Sequence, residues 1–210
     1  MNDLSLSSFL KRSNKFMQFN CFICLILIIV FYIIGMNIQD FSDFPSKDLN
    51  HKVTYNLNGF LEIFVNNAFI VPFVSLILSI IPIPYLYFIP TISTIYSLSV
   101  IIGVTFSYKL NEGIAIFIGI LPHGILEIYL TSIELSMLFL LNAYIRKNSM
   151  NLFRKRKETL PNFFVLLKSI VKCYLLIFLP VAFLCALIEI TVTPTVYKFL
   201  TNIELLKGHS

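Results

Sequence analysis

Five stretches of this chain, at about 19–36, 60–81, 85–108, 114–145 and 173–192, are long and apolar enough to be membrane-crossing helices. Crossing roughly 30 Å of hydrocarbon takes about 20 residues of helix. Hydrophobic residues make up 57% of the 210 and charged residues only 13%, against about 25% charged in a soluble domain. These runs predict an all-α integral membrane protein with about five transmembrane helices, forming a single transmembrane domain over 1–210.

The charges between the runs predict the orientation. Lys11, Arg12 and Lys15 precede the first run, and Asp40, Asp43 and Asp48 follow it. Basic residues hold a flank in the cytoplasm, so the N-terminus is expected there. No small-x-small cleavage site follows the first run, which reads as an uncleaved span. The loop at 146–160 carries Arg146, Lys147 and Arg154 to Lys157 against the single acid Glu158. Four crossings return that loop to the cytoplasm, so the two basic flanks agree. Pro161 to Lys172 reads as an amphipathic lead-in, with Lys168 and Lys172 on one face and able to snorkel. The count becomes six if 114–144 contains a re-entrant half-helix, because Pro122-His123-Gly124 predicts a break there.

The same composition argues against several function classes. The basic run at Arg154 to Lys157 has no folded polar sequence around it, so nucleic acid is not an expected partner. Cys21-x-x-Cys24 lies within Phe, Ile and Leu sequence, where thiols serve as small packing groups. There is no Gly-rich phosphate loop, no nucleophile elbow and no His-Glu-x-x-His signature. No catalytic residue, metal ligand or cofactor is expected, and the chain does not read as an enzyme.

Ionisable residues inside spans cost roughly 2.5–3.5 kcal/mol on insertion scales, which makes each a functional candidate. His123, Glu127, Glu134 and Glu189 qualify. His123 and Glu127 are four apart and Glu134 is seven further on, so a helix puts them on one stripe. Three readings stand side by side. One is a structural polar seam, with His123 and Glu127 bonded to each other and to Asn66, Asn67 or Glu189. The second is a transport or proton pathway along a broken helix. The third is chemistry at a metal held by His123, Glu127 and Glu189. The hydroxyl series Thr91, Ser93, Thr94, Ser97 and Ser99 reads as close-packing surface.

Asn66-Asn67 opening the second span, Gly103 in the third, Pro122-His123-Gly124 followed by Glu127, and Glu189 before Thr193-Pro194 resemble the stage II sporulation protein M family. The order and spacing fit from roughly residue 15 to 195, and Pro-His-Gly-x-x-Glu is the specific part. The chain departs from the glycine-rich pattern expected in the second and third spans. The resemblance implies a non-enzymatic subunit or scaffold of a complex in the bacterial cytoplasmic membrane. Besides the lipid bilayer, its implied partners are membrane or cell-wall proteins. Similar proteins accompany circular bacteriocin clusters, which adds a transport-type or secretion and immunity role, with a peptide or an ABC transporter as partner.

Overall fold

The computed structural model describes residues 4–37, 57–108, 110–152, 160 and 162–202. Most of the 37–60 loop, the basic run at Arg154 to Lys157, and both His51 and His209 lie outside the described residues. Every element among the described residues is helical. Five helices are long and apolar enough to cross a membrane.

The first is α1, Leu6–Asn37. The second runs from Leu57 to Ile80 as α2 (Leu57–Val65), a π turn (Asn66–Ile70) and α3 (Val71–Ile80). A 3-10 turn at Leu86–Phe88 leads into α4, Ile89–Tyr108. The longest is α5, Leu110–Asn151. The last comprises α6 (Phe163–Cys173), a second π turn (Tyr174–Phe178) and α7 (Leu179–Asn202).

Helix α5 is the axis of the bundle, and α1, α3, α4 and α7 all pack on it. Every residue from Leu130 to Leu138 is buried, so the helix has no solvent or lipid face over that stretch. The other helices invert the soluble pattern. On α1 the buried stripe is Phe9, Ser13, Asn20, Cys24 and Gly35, while Phe19, Phe22, Leu25 and Ile29 are exposed. Lipid is as apolar as leucine, so apolar side chains gain little by leaving it, and small or polar groups build the helix contacts. Asn20 Nδ2 donates to Ser132 Oγ at 3.0 Å, and Ser136 Oγ donates to the Phe9 carbonyl at 2.8 Å, pinning α1 to α5.

The break predicted at Pro122-His123-Gly124 is not there: α5 runs through all three residues as one helix. Proline removes one backbone donor, which in a membrane helix is tolerated where neighbouring helices cover the site. Here α4 brings Leu98 to 3.7 Å from where a Gly124 Cβ would stand. From α7, Cys185 Sγ donates to the His123 carbonyl at 3.7 Å. Nor is 146–151 a loop, because α5 continues to Asn151. The predicted lead-in is helical from Phe163 and continuous with the last span, with Lys168 and Lys172 exposed on α6.

Prolines shape the helices elsewhere. Each π turn ends just before a proline, Pro72 or Pro180. Pro72 cannot donate to the carbonyl of Ala68, one turn back. Tyr174 takes that place, its hydroxyl donating to the Ala68 oxygen at 2.6 Å, so one π turn is tied to the other. Helix α3 ends at Ile80, before Pro82 and Pro84. The carbonyls of Ser79, Ile81 and Ile83 converge on buried Asn142 of α5, whose Nδ2 reaches them at 3.0, 2.9 and 3.3 Å.

Phe9 of α1 packs in one cluster with Leu140 of α5 and Leu166 of α6. The start of α1, the last turns of α5 and the start of α6 therefore share one end of the bundle. Lys11, Arg12, Lys15, Arg146 and Lys147 gather at that end.

Candidate functional site: a polar cleft along the central helix

The polar residues of α5 face two adjoining cavities. The larger, about 320 Å³, lies between α4 and α5 and is lined by Ser93, Thr94, Ser97, Ile120, His123 and Glu127, among others. The smaller, about 50 Å³, lies between the first π turn, α4 and α5, and its polar lining is Asn66, Asn67, Thr94, Glu127, Thr131 and Glu134. Thr94 and Glu127 belong to both, so the polar lining is continuous. From His123 to Glu134 it follows eleven residues of α5, or about 16 Å at 1.5 Å per residue.

His123, Glu127 and Glu134 are thus on one side of α5, but their bonding differs from the predicted seam. The ring Nδ1 of His123 shares a hydrogen bond with Thr193 Oγ1 of α7 at 2.8 Å, not with Glu127. Glu127 lies within electrostatic reach of Glu189 on α7, with no hydrogen bond between them among the described residues. Asn66 Nδ2 donates to Asn67 Oδ1 at 3.2 Å. Pro122 is half-buried, and Gly124 is buried against α4. Among the described residues, no group of three or more His, Cys, Asp or Glu side chains is placed to hold a metal ion.

Glu134 stands apart in burial, at 3% exposed, and its Oε1 has no hydrogen-bond partner among the described residues. The Ser75 hydroxyl lies beside this carboxyl. The two do not meet in hydrogen-bond geometry, and Ser75 Oγ is likewise unpartnered.

The hydroxyls of the spans fall into several sets, and those of Ser13, Ser75 and Thr91 are buried with no hydrogen-bond partner among the described residues. Ser79, Ser99, Thr105, Ser107, Ser132, Thr191 and Thr195 each donate to a carbonyl of their own helix. That is the usual way for a hydroxyl to be satisfied away from water. Ser93, Thr94 and Ser97, which line the larger cavity, have no such bond among the described residues, and Ser93 and Ser97 are exposed. The predicted packing surface is therefore divided: Thr91 and Ser99 are buried in it, whereas Ser93 and Ser97 form the mouth of the cleft. Asn20, Ser132, Asn142 and Tyr174 were not singled out by spacing, because a lone polar residue in an apolar run gives no signal of its partner.

Residues 19–194 match the stage II sporulation protein M family. The chain belongs to that family. The match takes in the second, third and fourth spans whole, most of the first and last, and every residue of the cleft. No curated protein and no solved structure matches the chain. Family membership and the five apolar helices make this a multi-pass membrane protein of the stage II sporulation protein M type.

Proposed function

We propose that the chain is a non-enzymatic subunit of a complex in the bacterial cytoplasmic membrane, and that a transmembrane helix of a partner protein covers the cleft between α4 and α5. The observation that carries this is the cleft mouth. Ser93 and Ser97 face outward within a span, and neither hydroxyl is satisfied by its own helix. Lipid tails offer such groups nothing to bond, whereas hydroxyls and amides of another helix do, at about 0.6 kcal/mol per bond and up to about 1.7. The basic end of the bundle is cytoplasmic in this reading, by the charge bias of inward-facing flanks.

The test is affinity purification of the full chain from its own membranes. Wild type is expected to carry a stoichiometric membrane partner. A Ser93→Leu/Ser97→Leu variant should lose most of it, about tenfold or more, while its own thermal stability is unchanged. Wild type that purifies alone from native membranes, and functions alone in vesicles, contradicts the proposal.

The continuity of the two cavities favours a second reading, a transport-type protein moving a proton, a small solute or a peptide past Glu127. Flux in vesicles that requires Glu127, with the Glu127→Gln protein still folded, decides for it. A bacteriocin secretion or immunity role is a variant of this reading, and peptide sensitivity of a deletion strain distinguishes it.

A further inference from the structure

The smaller cavity has an unusual inventory. Glu127 and Glu134 contribute carboxyl groups. Thr131 donates its hydroxyl proton to the Ile128 carbonyl at 3.0 Å, which leaves its oxygen lone pairs for the cavity. Asn66 uses its amide nitrogen on Asn67, which leaves its own carbonyl oxygen as an acceptor. Thr94 supplies another hydroxyl. Asn67, whose Oδ1 is taken, adds amide N–H donors, but acceptors still outnumber donors; among the described residues no Lys or Arg lines the cavity and Glu134 Oε1 is enclosed without a partner. A buried acceptor left in that state costs about 1–3 kcal/mol, more if charged.

We propose that this pocket binds one small monovalent cation, with Na⁺ the fitting case, held by Glu127, Glu134 and the neutral oxygens of Asn66, Thr94 and Thr131. An all-oxygen donor set suits hard cations rather than zinc or copper. Size narrows the class. A cavity needs about 10–15 Å³ to hold a water, so about 50 Å³ admits a bare ion with a water or two. Mg²⁺ keeps several waters in an octahedral shell, which does not fit. With one of the two carboxyls ionised and the other protonated the site carries a single negative charge, which a monovalent ion balances and Ca²⁺ does not. The π turn contributes Asn66 and Asn67 to the cavity together, and π turns recur at functional sites. The site requires no partner protein, so it stands or falls independently of the subunit role.

The experiment is equilibrium binding of radioactive Na⁺ to the purified full chain in lipid-supplemented micelles, in choline chloride at constant ionic strength. About one ion per chain should bind saturably and be displaced by excess unlabelled Na⁺. Thermal unfolding, followed with a thiol-reactive dye on the buried Cys24, Cys173 and Cys185, should shift up by roughly 5 °C at saturating Na⁺. Glu134→Gln and Thr131→Val should each weaken binding at least tenfold, and Glu62→Gln, exposed on α2, should not. If Glu134→Gln does not fold, Thr131→Val decides. No saturable Na⁺ binding by wild type, binding unchanged in Thr131→Val, or displacement by Ca²⁺ at lower concentration than by Na⁺ each overturns the proposal.

Discussion

Gly103→Ala should destabilise the bundle by about 1–3 kcal/mol, the usual cost of overpacking a tight contact, and Gly103→Leu should prevent α1 and α4 from pairing at all. The reason is backbone proximity. A Cβ at Gly103 would stand 2.6 Å from the Ile28 carbonyl oxygen, 2.8 Å from Phe31 Cβ and 3.0 Å from the Tyr32 nitrogen. Main-chain atoms of a helix cannot step aside as a flexible side-chain end can, so α1 as a whole must retreat. Gly35, nearer the far end, is tight against a side chain instead, where an added Cβ would collide with Ser107 Oγ. Gly124→Ala is the internal control. Its nearest neighbours are side-chain atoms, Ile120 Cγ2 at 3.3 Å and Leu98 at 3.7 Å, and alanine gains about 0.5–1 kcal/mol over glycine inside a helix. Reversible unfolding in bicelles should rank the variants as Gly124→Ala near wild type, Gly103→Ala well below, and Gly103→Leu unfolded.

Asn142→Leu should cost about 3 kcal/mol or more, although it adds an apolar side chain to a membrane protein. It would remove the donor shared by the Ser79, Ile81 and Ile83 carbonyls. The Ile81 carbonyl keeps the Ile83 N–H at 2.8 Å, but the Ser79 and Ile83 carbonyls lose their side-chain donor, and each buried acceptor left unsatisfied costs about 1–3 kcal/mol. Pro82 and Pro84 have no N–H with which to help. Arg146 Nε, which donates to Asn142 Oδ1 at 2.9 Å, loses its acceptor as well. The same unfolding measurement checks this. Protease sensitivity should rise first between Ile80 and Leu86, where Tyr85 holds a left-handed φ of 64°. Stability equal to wild type would mean that the turn between α3 and α4 stands without the asparagine.

The spans were legible from length alone, because hydrocarbon thickness leaves few alternatives. So was the placing of His123, Glu127 and Glu134 along one stripe, which a helix fixes by spacing. The expected break at Pro122 was not, since a proline's effect depends on what surrounds it. Pro122 is half-buried beside His123 and Gly124, which α7 and α4 cover, and leaves α5 continuous, whereas Pro72 and Pro180 each follow a π turn. The pairing of His123 was equally hidden. Its partner Thr193 is seventy residues away on α7, whereas helical spacing points to Glu127, four residues on. Small buried residues such as Ser13, Asn20 and Gly35 carry no hydropathy signal, yet they define the inner face of α1. Ser93 and Ser97 look like Thr91 and Ser99 in the sequence. Only the packing separates the pair that opens to the outside from the pair that is closed in.

The subunit role turns on what lies against the cleft mouth in the living membrane. A photo-crosslinking amino acid at position 97, with position 22 as the lipid-facing control because Phe22 is 62% exposed on α1, reads this directly. Position 97 is expected to give one discrete adduct with an identifiable membrane protein, absent at position 22 and lost when Ser93 is changed to Leu. If position 97 captures only lipid, as position 22 does, the cleft is not a docking surface and the proposed role is wrong.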